Sequence, residues 1–458
     1  GDTNIIVSER VHNISDPMGI DLQGKNIRLM SVDPNDPNVV ANTIIDCGGS
    51  RFVRKRAFHF HSGETGSCVI AGLTIRNGYW IGAVGVTGGI PGGPVNPDPT
   101  VTDSPIREAS GTSVSGTGYG GAILCENGSS PTFMNCVIEN CLVVGAQGGS
   151  GISGMYIPPD SDVDGVWGGH AGSGSGHGFG GAVACLSGSR PTFINVTIRN
   201  CAARGGMGGD GGSGSENEGN GTASHGGNAG TAYGDGHGGA VFCANGSDAL
   251  FKGCTFADNF ASTGVAGVPG MNGAGGDLAD EYGDAAPGLI AFVVPGGTVA
   301  GGAVYQSSAN PKFVDCTFTE NEAFNAQLTT TIMAAGIQQL ETRQYMPGGA
   351  FYLDLDCTLS LDRCEITRNI GSSAVWLEAY DVVDVNECVF SLNEANAQYV
   401  SRSDSLTVDG QVRSLPGTYW DMFCGGAMDI GPYCSDVRIK NSQFYSNTAA
   451  GDGGAIRL

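Results

Sequence analysis

The stretch Asp160-Ser-Asp-Val-Asp-Gly165 places three carboxylates on alternate residues just ahead of a glycine. Asp160, Asp162 and Asp164 so spaced can converge on one hard cation, and the glycine allows the tight turn around it; this is the first half of a calcium loop. Ala171 stands where the twelfth-position glutamate would close such a loop, so backbone carbonyls or another segment would have to complete the shell. Ca2+ is therefore the expected cofactor, weighed against a solvated acidic turn. Asp354 and Asp356 alternate along one stretch, with Asp381 and Asp384 about one repeat later. Two acids flanking a glycosidic bond would hydrolyse it, and carboxylates with an Arg or Lys base would serve a lyase. The basic cluster Arg51 to Arg56 lies far away in the sequence, so these acids read as outward, solvated side chains and no catalytic set is assigned. His59, His61, His170, His177, His225 and His237 read as polar filler rather than ligands. The fifteen cysteines include no C-x-x-C pair, which argues against a structural metal site.

What positions these residues is a repeat. Gly-Gly-Ala starts at Gly120, Gly180, Gly238, Gly301, Gly348, Gly425 and Gly453. After each except the last, a short phrase closes on Cys141, Cys201, Asn259, Asn321, Asn369 or Asn447, at gaps of 21, 21, 21, 20, 21 and 22 residues. Ser372 to Asn393 is a further copy with Ser-Ser in place of Gly-Gly. Apolar residues within a copy alternate with period two, as in Cys254-Thr-Phe256, so each copy supplies short strands and no helix. Such a unit cannot bury its own apolar face and must stack on its neighbours. Like stacked on like is a parallel register with coils roughly 4.8 Å apart. The expected fold is all-β, a right-handed parallel β-helix of about ten coils.

Register would turn equivalent residues into columns. Cys125, Cys185 and Cys243 form one, Cys254, Cys316, Cys364 and Cys388 a second, and Cys141 with Cys201 a third. Side chains in parallel register strain a bridging dihedral, so buried thiols are expected, with Cys141–Cys201 and Cys47–Cys68 as bridging alternatives. Asn259, Asn321, Asn369, Asn393 and Asn447 would form a ladder of amides bonded to one another and to the bend backbone.

The chain is expected to form a single domain, 1–458. Extra text enters at one place in the repeat, at 79–119, 142–179, 202–237, 260–300, 322–347 and 394–424, and so at one corner of the rod. Several of these inserts are extremely Gly-rich. Isolated, they would be disordered; tethered in adjacent coils, they can pair backbone to backbone in polyproline-II-like strands where only glycine fits.

Seventy-eight glycines, about one residue in six, argue against an ordinary helical or α/β protein. A net charge of −23 disfavours a nucleic-acid surface or an anionic membrane patch. No run of 18 apolar residues marks a transmembrane helix.

The pairing of Gly-Gly-Ala-[Ile/Val] with Phe-x-x-Asn resembles the repeat of bacterial polymorphic outer-membrane proteins, a surface-exposed right-handed β-helix with a pectate-lyase-like fold. "GDTNIIV", "TIIDCGG" and "VIAGLTIRNG" resemble the opening coils of secreted bacterial β-helix proteins. The resemblance implies a short capping helix before Gly1 and a further half-coil after Gly453, so the 458 residues are expected to be an excerpt of a longer chain. It also implies secretion or cell-surface display. The function expected from repeat and resemblance together is a non-enzymatic structural or adhesive scaffold: an adhesin, filament, or envelope or matrix layer, with itself or surface glycans as partner. The alternatives are a carbohydrate-active β-helix enzyme, since the fold family contains many, and a glycan-binding module using Trp80 and Trp167.

Overall fold

A computed structural model describes the chain except residues 1–2, 52, 88–108, 155–166, 215–224, 272–292, 295–298, 334–335, 380, 396–405, 409–410, 414–425, 432–433, 435, 450–453 and 458. Asp160, Asp162 and Asp164 lie outside the described residues.

Short alternating segments pair only with their counterparts one coil away. Among the described residues, the first sheet has ten strands from Thr3–Val7 to Asp436–Lys440, and the second has ten from Arg10–Asn13 to Gln443–Tyr445. A third sheet has nine, from Phe58–Phe60 to Ile456–Arg457. Every pairing within these three sheets is parallel, and the repeat's own frame sets the register: Ile138 opposes Ile198, which opposes Phe256, which opposes Phe318. The chain is a right-handed parallel β-helix.

Coil spacing dictates the core. Phe133, Phe193, Phe251 and Phe313 form a file of stacked rings with centroids 5.0, 4.7 and 5.0 Å apart. Phe256 lies on Phe318 at 4.5 Å and Phe390 on Phe444 at 4.6 Å. These separations match the distance between hydrogen-bonded strands, so identical rings in register fill the interior without rotamer conflict.

At the bend after the second sheet the amides form one vertical file. Asn259 Nδ2 donates to Asn321 Oδ1 at 3.0 Å, Asn321 to Asn369 at 2.9 Å, Asn369 to Asn393 at 3.1 Å and Asn393 to Asn447 at 2.9 Å. Each Oδ1 also accepts the backbone N–H of the residue below, and each Nδ2 also donates to a core carbonyl, as Asn321 does to Phe256 O at 3.0 Å. Burial is affordable here because every amide polar atom is paired. The ladder stops at Cys201, whose N–H donates to Asn259 Oδ1 at 3.0 Å.

All fourteen described cysteines are free thiols, so neither expected bridging alternative forms. Cys125 opposes Cys185 and Cys185 opposes Cys243. Cys254, Cys316 and Cys364 donate S–H to Phe193 O, Phe251 O and Phe313 O at 3.4, 3.5 and 3.4 Å. Cys136 sits two residues before Ile138, as Cys254 sits before Phe256, and bonds in the same way to Ile70 O at 3.6 Å. Val196, at the equivalent position of the next coil, separates it from the run of cysteines.

Three features depart from the sequence reading. Asp33-Pro-Asn-Asp36 leads into a helix, Pro37–Asn42, capped by Asp36 Oδ1 on the Asn38 N–H at 2.8 Å with Pro37 in its first turn; a cap and a proline at the start suffice for so short a helix. The first residues of the inserts belong to the coil, since Tyr79–Val84, Leu142–Gln147, Ala202–Arg204 and Phe260–Ser262 form a fourth parallel sheet. The insert at 322–347 is an antiparallel hairpin pairing Phe324–Met333 with Gly336–Tyr345, unlike its glycine-rich counterparts.

Each bend uses a left-handed residue directly before the ladder position, including Asn140, Asn200, Arg368 and Leu392 at φ of 55, 52, 56 and 57°. Leu392 has no side-chain polar atom to offset that conformation. Leu392→Asn is expected to stabilise the protein by about 1 kcal/mol. Asn369→Leu, which orphans ladder partners on both sides, is expected to destabilise it by about 2–4 kcal/mol. Denaturant midpoints of the two variants against the parent check both signs.

Candidate functional site

The glycine-rich inserts form a layer against one corner of the rod. Outgoing segments (145–154, 205–214, 264–271) alternate with returning ones (109–117, 167–178, 225–236). A zigzag of backbone bonds crosses them: Gly149 N–H to Thr112 O, Gly172 to Gly149, Gly209 to Gly172, Gly230 to Gly209 and Gly267 to Gly230, at 2.8–3.0 Å. Three residues along, Gly169 bonds to Ile152 O, Gly212 to Gly169, Gly227 to Gly212 and Gly270 to Gly227 at 2.7–2.9 Å. That period of three is the period of polyproline II. A Cβ on Gly209 would lie 2.2 Å from Gly149 O, and one on Gly267 1.7 Å from Gly209 O. The layer is therefore closed to any side chain at these positions.

The residues between the glycines carry a second device. A polar side chain accepts the N–H of its counterpart in the next coil: Ser113 Oγ from Ser173 at 2.9 Å, His170 Nδ1 from Asn228 at 2.9 Å, Asp210 Oδ1 from Val268 at 3.0 Å. His177 Nδ1 takes the Asp235 N–H in the same way, at 3.3 Å. Polar filler is thus too weak a description of His170 and His177.

Where the layer meets the third sheet, a phrase repeats: Gly116-Thr-Gly-Tyr-Gly-Gly121, Gly176-His-Gly-Phe-Gly-Gly181 and Gly234-Asp-Gly-His-Gly-Gly239. Parallel pairing sets Gly118 beside Gly178 beside Gly236, and Tyr119 beside Phe179 beside His237. The result brings together potential ligand atoms of His177, Asp235 and His237, all within 4.8 Å of one another. Asp235 and His237 are buried. The His237 ring lies on Phe179 at 5.0 Å and edge-on to Tyr305 at 4.8 Å. Its Nδ1 is buried without a hydrogen-bond partner. Burial, and next the neighbouring His177, push the His237 imidazole down to about 3, so it is neutral and its ring nitrogen holds a lone pair at neutral pH. Reading histidines one at a time missed this cluster; the signal was the shared Gly-x-Gly-x-Gly-Gly phrase, which stacks position 177 on 235 and 179 on 237.

The acids considered for catalysis are distributed over two sheets and the interior. Asp354 lies on the third sheet, where it accepts from Ser307 Oγ at 3.0 Å. Asp384 lies on the first sheet, between Ser360 and Arg438. Asp381 is not outward at all. It is fully buried in the column of Ser129, Ser189 and Ser247, each four residues before its core position, and takes the Cys357 N–H at 2.9 Å. Its second oxygen is buried without a hydrogen-bond partner. Desolvation, with Asp354 and Asp356 adding negative charge, pushes this carboxyl up to about 7.

The tryptophans proposed for glycans are occupied by protein. The Arg56 guanidinium sits 3.6 Å over the Trp80 ring, and Trp167 meets His225 edge-on at 4.4 Å. Further along the third sheet, Tyr305 stacks on the buried Tyr352 at 5.1 Å, and Tyr352 Oη and the partly buried Trp376 Nε1 both donate to Glu378 Oε2, at 2.9 and 3.0 Å. No protein-family model, curated protein or solved structure matches this chain.

Asp381 gives the fold a pH signature. Unfolded, the group loses its proton near 3.8; folded, it keeps it to about 7. Native stability therefore falls between these pH values, and the full penalty stands above 7. Asp381→Asn is expected to stabilise at pH 8, by up to about 4 kcal/mol, and to have little effect at pH 4. Equal effects at both pH values would show that the carboxyl does not titrate in the folded state.

Proposed function

We propose that this chain is a non-enzymatic structural or adhesive scaffold of the cell surface or extracellular space, which displays its glycine-rich layer to a partner: another copy of itself or a surface glycan. The observation that carries this reading is the continuous registration of the body with an insert layer whose described segments bond backbone to backbone from coil to coil. That is the construction of a stiff, extended display surface. The Gly-Gly-Ala…Phe-x-x-Asn repeat, which resembles that of polymorphic outer-membrane proteins, supports placement on a bacterial surface. Burial of Asp381, and the placement of Asp354 and Asp384 on different sheets, weigh against a polysaccharide lyase or hydrolase built on those acids. Glycan binding is a compatible second reading favoured by Trp376, which is only partly buried and lies beside the exposed Glu378 carboxylate, an arrangement of aromatic face and acceptor that sugar rings can use. Calcium at Asp160, Asp162 and Asp164 belongs to this proposal on sequence grounds alone.

The test is a panel of uronate and neutral polysaccharides incubated with the protein with and without calcium, read by ultraviolet absorbance of unsaturated products and by reducing ends. The scaffold reading expects no turnover, together with self-association in light scattering or retention on one immobilised glycan. Sustained turnover ends it. In calcium titrations, the parent is expected to gain thermal stability and Asp162→Asn to abolish that gain.

A further inference from the structure

We propose that His177, Asp235 and His237 form a binding site for one divalent transition-metal ion of the zinc class, set between two successive coils of the glycine layer. Two-residue spacing directs Asp235 and His237 to the same side of their strand, and the pairing of Phe179 with His237 carries His177 alongside Asp235. The glycines at 178 and 236 flank the ligands on both coils. Ligand atoms within 4.8 Å of one another need only small rotamer shifts to reach a common ion at about 2.0–2.2 Å.

The donor set selects the metal. Two imidazoles and one carboxylate suit Zn2+, Co2+, Ni2+ or Fe2+, whereas Ca2+ and Mg2+ require mostly oxygen. His237 is 8% exposed, and its Nδ1 is buried without a hydrogen-bond partner. A buried polar atom without a bond is costly in the metal-free fold, and an ion supplies the missing interaction. Phe179 and Tyr305 pack the His237 ring from two directions, fixing its plane. His177 is only partly buried and gives the ion a route from solvent. An ion taking a His177 ring nitrogen exchanges it for the bond from the Asp235 N–H, which at 3.3 Å is among the longest bonds of the layer and outside the usual range for N–H donors. Water completes the coordination sphere. The ion would tie the coil carrying 167–178 to the coil carrying 225–236, close to where the layer joins the third sheet.

The full chain, stripped with chelator and kept reduced, is titrated with Zn2+ by calorimetry and with Co2+ by visible absorption. One equivalent is expected to bind, with a Co2+ spectrum of nitrogen and oxygen ligation and a rise in melting temperature. His177→Gln, at a partly exposed position, and Asp235→Asn, which preserves volume, are each expected to weaken binding about 100-fold or more, as is His237→Ala. Far-ultraviolet circular dichroism identifies any variant that fails to fold, and the remaining variants then decide the outcome. Absence of stoichiometric binding overturns the proposal. So does binding unchanged in the folded variants, or a near-ultraviolet thiolate charge-transfer band, which would assign the metal to cysteine.

Discussion

The constraint on which this molecule depends is that each coil lies directly over its counterpart, one strand spacing away. At that spacing a primary amide is the right size to donate to the amide above while accepting from the backbone below. The file from Asn259 to Asn447 uses every polar atom it buries. The same spacing lets Phe193 lie flat on Phe251 and Phe251 on Phe313. A slip of one residue would turn the rings outward and the polar residues inward. Amides, rings and thiols therefore enforce one register, and each column reinforces the others.

The described parts of the glycine-rich inserts obey the register without having a core of their own. Glycine is the residue that loses most freedom on ordering, and segments like 205–214 would not order alone. Here both ends of each insert are held by coils already in register, so the loss is offset by a two-directional array of backbone bonds. Vertical bonds such as Gly151 N–H to Asp210 O at 2.9 Å run along the rod, and the glycine zigzags run across it. Side-chain acceptors such as Ser113 and His170 satisfy N–H groups that the backbone array leaves over. Glycine is required at the crossing points because the neighbouring carbonyl already occupies the Cβ position.

The interior also tolerates groups that do not fit its rules. Asp381 occupies a column of small side chains with one oxygen unpaired, and Arg56 is buried with its charge facing the Trp80 ring. Burial pulls Arg56 down to about 9, as it pushes Asp381 up; in both cases the charged form is disfavoured for want of water. Neither exception was legible from spacing alone. An acid near the start of a strand is outward or inward according to where the coil begins its turn, and Cys357 rather than any motif shows that Asp381 faces in.

The sequence by itself determined the strands of the Gly-Gly-Ala copies, their parallel register, the amide ladder and most of the cysteine columns, because a repeat with fixed spacing leaves one way to stack. It also marked the part of each coil that carries the additional residues, but not where each insert leaves the coil, since Tyr79–Val84 and Leu142–Gln147 still pair in a sheet. The neighbours of residues lying on different coils were decided only by the tertiary structure. Histidines 60 residues apart in text, such as 177 and 237, come within reach because successive coils return to the same corner. Carboxylates 27 and 30 residues apart, such as Asp354 with Asp381 and with Asp384, are directed to the interior and to another sheet. Separation along the chain measures coils travelled, whereas chemistry depends on the angle around the axis, and bends of variable length set that angle.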